Sequence, residues 1–449
     1  MLTRNGADRL APYIARRARV LEALSRRGAA ALLLSARPKV RNADTEHRYR
    51  PDSDLWRLTG LGEPHCALVL LPAVAGRAAR SVLFLRERNA EQELWSGRRL
   101  GIAGATQHLG VDDARPIETL WTDLPGLLEG CAQLCYRTGV DTHNDVAVLE
   151  VLARLRAKTR SAATLPHELI DAAPVLHELR LFKDEAELRA MSRAAQITCE
   201  AHLSAMRSAR PGMRENEIEA LIEYEFRRRG ADAPAYNTIV AGGANACILH
   251  YIDNVDVLRE DQLLLIDAGA EFEHYAADVT RTFPVGARFG AAQRELYEVV
   301  LRAQLAAIEL ARPGRRFDEP HAAAVRVLVE GLCDLGLLSE SVPTALESGS
   351  YKRFYMHRTS HWLGLDVHDA GSYVRDGASR ELAPGMVLTI EPGLYVAEDE
   401  PSVDARWRGI GIRIEDDVVV TDAGPRVLTA GVPKALDEIE ELRAQALAG

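Results

Sequence analysis

Four acids, Asp267, Asp278, Glu391 and Glu415, stand on or beside strongly apolar, strand-like runs: LLLIDAGA (263–270), ADVTRTFPV (277–285), VLTIEPGLYV (387–396) and IGIRIEDDVVV (410–420). A fifth run, SHWLGLDVH (360–368), adds His361 in the middle of the series. An ionised carboxylate beside buried strand residues costs several kcal/mol unless a partner or a metal compensates it. Too few Lys or Arg lie nearby to neutralise all four. The chain is therefore constrained to fold these acids around a shared cation, and a metal pair meets that demand.

With 449 residues the chain exceeds what one hydrophobic core usually supports, so two domains are expected. Lys and Arg total 55 against 65 Asp and Glu, a net charge of −10 with no basic block, which argues against nucleic-acid binding. The start, MLTRNGADRLAPYIARRARV, lacks the apolar region and small-residue cleavage site of a secretory signal, and no apolar run has the length of a membrane span. A soluble cytoplasmic protein is the expectation. The six cysteines (66, 131, 135, 199, 247 and 333) lack zinc-ribbon spacing, and a chain this long needs no disulfide staples.

Apolar runs at 29–36, 66–74 and 81–87, separated by charged and Gly-containing turns, predict an α/β domain over residues 1–175. Asp184 with Glu187 three positions later reads as a helix start and opens the second domain, 176–449. This part carries a weak internal repeat. A helical run ends in Ala209-Arg210-Pro211-Gly212 and a second closes at Gly230; about 100 residues later a run ends in Ala311-Arg312-Pro313-Gly314 and another follows from Asp318 to about Gly336. Strand-like runs holding the candidate ligands follow each pair, so two similar halves with a site between them are expected.

Asp267 and Asp278 bracket a strand-turn-strand pattern that brings both acids to one place. Arg413 and Glu415, two apart, are expected on one side of a strand, a cation beside a ligand. Four carboxylates and an imidazole form a hard, oxygen-rich set that favours Mn²⁺ over a thiolate-bound zinc, and two such ions sharing a water point to amide hydrolysis. Singly each residue is ordinary: an Ile-Glu at a strand end is commonly a turn acid, and His357 with His361, four apart, also reads as one helix face. Only the ordered whole is specific.

That whole resembles the pita-bread metallopeptidases, and within them the Xaa-Pro aminopeptidase (aminopeptidase P) group. The resemblance rests on CILHY (247–251), LLLIDAGAEFEHYAADVTRTFPV (263–285), MHRTSHWLGLDVHD (356–369), LTIEPGLYV (388–396) and RGIGIRIEDDVVV (408–420). RNADTEHRYRPDSDLWRLTG (41–60) and ELWSGRRLG (93–101) extend it to the non-catalytic N-terminal domain of bacterial members. It implies an α/β N-terminal domain followed by an α+β pita-bread catalytic domain, two divalent ions (Mn²⁺, with Co²⁺ or Zn²⁺ as alternatives), and cleavage of the N-terminal Xaa-Pro bond of peptides by a hydroxide held between the ions.

Carried over by residue, the resemblance places Asp267 on one ion, His361 and Glu391 on the other, and Asp278 and Glu415 between them. Glu391 becomes the proton acceptor and His368 the stabiliser of the carbonyl oxygen. His250, His357 and Arg413 line the proline side, Tyr395 supports the site, and Trp95 matches an aromatic that reaches the site of a neighbouring subunit in a homo-oligomer, a dimer or tetramer. One position departs: a residue commonly glycine in relatives is Arg358 here, which either points outward or narrows the proline side. A prolidase restricted to Xaa-Pro dipeptides shares the same ligands and is the alternative within the enzyme class. A non-catalytic pita-bread binding module is the alternative outside it, disfavoured by the intact ligand set.

Overall fold

The apolar run at 29–36 forms the strand Ala29–Leu34, the centre of a six-stranded sheet in the computed structural model, which describes residues 7–74, 76–157 and 164–448. Across the sheet the order is Asp113–Pro116, Arg80–Leu85, Ala67–Leu71, Ala29–Leu34, Gln133–Cys135 and Glu168–Ile170. Alternation along Ala29–Leu34 feeds two cores. Ala29, Ala31 and Leu33 pack with Val20, Leu24, Leu55 and Leu58, whereas Ala30 and Leu32 pack with Leu120, Leu124, Val148 and Val151. Cys131 and Cys135 are buried free thiols, one in each core. Among the described residues no helix is long and apolar enough to cross a membrane.

The chain divides into two compact units, Met1–Leu179 and Arg180–Gly449. The division lies within the helix Ala173–Leu181, so the sequence-derived boundary at 175 falls inside that same helix.

In the second unit Asp184 and Glu187 form a reciprocal capping box at the head of the helix Glu185–Ser208. Glu215–Arg228 packs against it, and the antiparallel strands Ile239–Gly242, Leu263–Asp267 and Thr280–Pro284 follow. The series then recurs. Helices Ala291–Ile308 and Glu319–Asp334 pack together, and the antiparallel strands Val387–Ile390, Asp416–Thr421 and Gly424–Val427 come after them, with Gly393–Val396 pairing Ile410–Arg413 beside them. The two Arg-Pro-Gly segments lie just beyond Ser208 and Ile308, where the helices stop. One core joins the halves, with Phe226, Ile266 and Phe283 from the first and Leu296, Leu328 and Leu388 from the second.

The segment carrying His357 and His361 is irregular rather than helical. It is tied instead to the Val387–Ile390 strand: Thr389 N–H donates to the His361 carbonyl at 3.0 Å and Glu391 N–H to the Thr359 carbonyl at 2.8 Å. A helix satisfies its own carbonyls and would leave these bonds unmade.

Gly269 shows how tightly the chain turns between the two aspartates. A Cβ there would fall 1.7 Å from the Ala277 carbonyl oxygen, so only glycine lets the strand leaving Asp267 pass the one approaching Asp278.

A buried cation stitches the halves. Arg281, fully enclosed, pairs with Asp416 at 2.7 Å and donates to the carbonyls of Thr280 (3.0 Å) and Glu415. Asp416 also accepts from Gln304, Thr429 and Lys434, each at 2.7 Å. Desolvation opposes the Asp416 charge, yet Arg281 and Lys434 outweigh it and hold the carboxyl at about 2. Arg281→Met is expected to destabilise the protein by about 3–5 kcal/mol, because a buried charge loses its principal partner. The shift in urea midpoint measures this, and a change below about 1 kcal/mol would show that the pair is dispensable.

Candidate metal centre

Strand ends deliver the acids. Asp267 closes the strand Leu263–Asp267, in register with Thr280, and Asp278 lies two residues ahead of that partner. Glu391 follows Val387–Ile390, and Glu415 sits between Ile410–Arg413 and Asp416–Thr421. Glu415 N–H donates to the Thr280 carbonyl at 3.0 Å, which brings the second half's acid beside the first half's pair. His361, on the irregular segment, completes the group.

All five line one cavity together with His250, His357, Arg358, His368 and Arg413. Ligand atoms of Asp278, His361 and Glu415 lie within 4.8 Å of one another. The His361 Nε2 is 3.4 Å from Asp278 Oδ2 and 3.5 Å from Glu391 Oε1. Its Nδ1 is 3.0 Å from the Trp362 carbonyl, a contact that makes Nδ1 a donor and aims Nε2 at the acids.

Crowding raises proton affinity. Burial pushes Glu391 up to about 7, with Asp278 and Asp267 adding to the rise. Burial also raises Asp278, and it raises Glu415 well above the usual carboxylate range with help from Asp278, Glu391 and Asp267. For His361, burial disfavours the charge, but Asp278 and Glu391 lift it to about 9. Tyr236 adds a single O–H between Asp267 (2.6 Å) and Asp278, so one proton serves two carboxylates. Protons therefore occupy places that divalent cations fit: hard oxygen donors, one oriented imidazole and a shortage of counter-charge.

The sequence placed Arg413 beside Glu415; the structure directs its guanidinium elsewhere. Nη2 donates to Asp267 Oδ2 at 2.7 Å, Nη1 to the Tyr395 hydroxyl at 2.9 Å and Nε to Thr280 Oγ1 at 3.1 Å. Thr280 in turn donates to Glu415 Oε2 at 2.7 Å, so the arginine reaches that acid through a hydroxyl. Tyr395 is 2.8 Å from His357 Nε2, and the Nδ1 of that ring is 2.8 Å from the Arg358 carbonyl. The ring thus donates at Nδ1 and receives the tyrosine proton at Nε2. Burial and Arg413 bring His357 down to about 4, which keeps it neutral. His368 meets His361 edge to face, with centroids 4.5 Å apart, and His250 is an exposed part of the cavity wall. Trp95 lies in the first unit on Ala90–Ser96, 89 % exposed.

Tyr236 and Thr280 escaped the sequence reading. Thr280 carries a usable signal, two residues after Asp278 and in register with Asp267; Tyr236 belongs to no periodic run.

The sequence profile of metallopeptidase family M24 matches residues 189–422, and that of the aminopeptidase P N-terminal domain matches residues 13–136. With this geometry, the chain belongs to metallopeptidase family M24. Among its relatives, the Xaa-Pro aminopeptidase of Escherichia coli (strain K12) is 46% identical over 415 residues, covering 92% of this chain and 93% of the relative. The solved structure of Pseudomonas aeruginosa aminopeptidase PepP superposes with a TM-score of 0.95 at 46% identity and covers 100% of both chains. Zn-substituted E. coli aminopeptidase P in complex with product gives 0.93 at 45% identity, covering 97% of this chain and 98% of that one. The two-part fold, an aminopeptidase P N-terminal domain followed by a pita-bread domain, follows from these matches.

The proton excess has a consequence for stability. Above about 6.5, the ordinary histidine value, His202, His321 and His357, each lowered to about 4 chiefly by burial, are neutral in both folded and unfolded chains. His361, raised to about 9, and the raised carboxyls still bind more protons when folded. Stability contributed by His361 is thus full below its unfolded value and is lost as pH rises through about 9. Metal-free protein is expected to lose Tm steadily over this interval, and Mn²⁺ to restore more Tm at about pH 8 than at about pH 6.5. A metal-free Tm that climbs over the same range contradicts the assignment.

Proposed function

We propose that this chain is a metal-dependent aminopeptidase that hydrolyses the N-terminal Xaa-Pro bond of peptides. The observation that carries the reading is the single cavity joining Asp267, Asp278, His361, Glu391 and Glu415 to His250, His357, His368 and Arg413. The Xaa-Pro aminopeptidase relatives, matched over more than nine-tenths of their length, favour it over a dipeptide-restricted prolidase.

Asp267 would hold one ion, His361 and Glu391 the other, and Asp278 and Glu415 would bridge. When bound, two Mn²⁺ ions supply Lewis acidity toward water and the scissile carbonyl. Glu391, ionised once cations replace the protons of the site, would take the proton from the attacking water. His368 has its basicity lowered by burial and by the neighbouring His361, so it presents a neutral N–H toward the carbonyl oxygen as charge develops there.

An Xaa-Pro bond is a tertiary amide without an N–H and with a restricted ring, so shape must take the place of backbone hydrogen bonding. His250, His357 and Arg413 would form the proline side. The Arg413–Tyr395–His357 chain fixes those rings, so the wall meets the ring without rearranging. In a homo-oligomer, dimer or tetramer, Trp95 would reach a neighbouring subunit's site. The cytoplasm, where Mn²⁺ and short peptides are both available, is the proposed compartment.

Metal-stripped protein given Mn²⁺ is expected to release Xaa from Xaa-Pro-Yaa, with the matching Xaa-Pro dipeptide a poorer substrate. Cleavage confined to the dipeptide would make the protein a prolidase, and cleavage of neither with any divalent ion would return the binding-module reading. In His368→Ala, kcat should fall by about 100- to 1,000-fold while bound metal stays near the native amount. Loss of metal in that variant would assign His368 a structural role instead.

A further inference from the structure

The segment between His357 and His361 sends alternate side chains in opposite directions. Thr359 is fully buried, 2.6 Å from the Tyr355 hydroxyl and 2.8 Å from His321 Nδ1. Arg358 and Ser360 line the cavity instead. The Arg358 side chain is exposed, and among the described residues no hydrogen bond or ion pair reaches its guanidinium. Ser360 is 6 % exposed, and its hydroxyl is buried without a hydrogen-bond partner among the described residues. A buried hydroxyl with no partner costs free energy that a bound polar group would recover.

Among the described residues, the other groups on this wall leave Arg358 as its available cation. His321, lowered to about 4 by burial and by Arg358 itself, is neutral, and Arg413 is committed to Asp267 and Tyr395. Asp318 lines the same cavity, yet forms no ion pair with Arg358. An arginine so placed offers a planar fork matched to a carboxylate.

We infer that Arg358, assisted by Ser360, binds the carboxylate of the residue that follows proline, which selects short Xaa-Pro-Yaa peptides with a free C-terminus over amidated or extended ones. The inference rests on the Xaa-Pro cleavage proposed above. Arg358 adjoins His357 on the proline side, and one further residue advances an extended peptide by about 3.3–3.6 Å. The C-terminal carboxylate of a tripeptide thereby comes within reach of a long, flexible side chain. A longer peptide or an amide presents a neutral group at the same point and leaves the guanidinium unmatched.

The test compares Xaa-Pro-Yaa as free acid and as C-terminal amide, with Mn²⁺, in the native protein, Arg358→Gln and Arg358→Lys. The native ratio of kcat/KM, acid over amide, is expected to fall about tenfold in Arg358→Gln, mainly through KM for the acid, and to recover partly in Arg358→Lys. A ratio equal in native and Arg358→Gln proteins, with both substrates cleaved, overturns the inference and leaves the aminopeptidase reading intact. Native protein that cleaves neither peptide overturns both.

Discussion

Four carboxylates gathered in a cavity with too few cations set the terms for the whole second unit. Like charges so close resist both burial and one another, which is why Asp278, Glu391 and Glu415 all hold their protons more tightly than free carboxyls do. The fold meets the demand from two directions. Arg413 enters the cavity and bonds Asp267, whereas Arg281 stays behind it, pairs with Asp416 and fixes the backbone at Thr280 and Glu415. One arginine moderates the charge and the other holds its carriers in place.

The remaining side chains are set by the oxygens and hydroxyls around them. Backbone carbonyls orient His357 and His361, which sets the second nitrogen of His357 toward Tyr395 and that of His361 toward Asp278 and Glu391. Thr280 and Tyr395 relay Arg413 to Glu415 and to His357. Neither hydroxyl carries charge, yet each decides where a charge is felt. Asp417 works the same way from behind, accepting the Asp278 backbone N–H on both oxygens at 3.2 Å.

Much of this was legible in the chain. Apolar runs of strand length located the acids at strand ends, and the Asp184 to Glu187 spacing marked a helix start that the structure caps in that way. The two Pro-Gly segments marked the ends of two helices. What stayed hidden is set by tertiary contacts. The i, i+4 spacing of His357 and His361 suggested a helix face, but pairing with the strand at Thr389 and Glu391 overrode the local pattern. The partner of Arg413 could not be read from its neighbour in sequence, because Asp267 lies 146 positions away. Tyr236 gave no signal at all, since a lone tyrosine in a loop has no period.

Distance along the chain also bears on when the site can exist. The hydroxyl of Thr280 meets Glu415 across 135 positions, and that glutamate follows every other candidate ligand in the chain. A chain still being made can form the first hairpin, with Asp267 beside Asp278, long before the closing acid has emerged from the ribosome. Contacts of such long range form late, after their loop entropy has been met. A chain that ends before Glu415 lacks the closing acid, and such truncated chains should be inert toward the peptides around them.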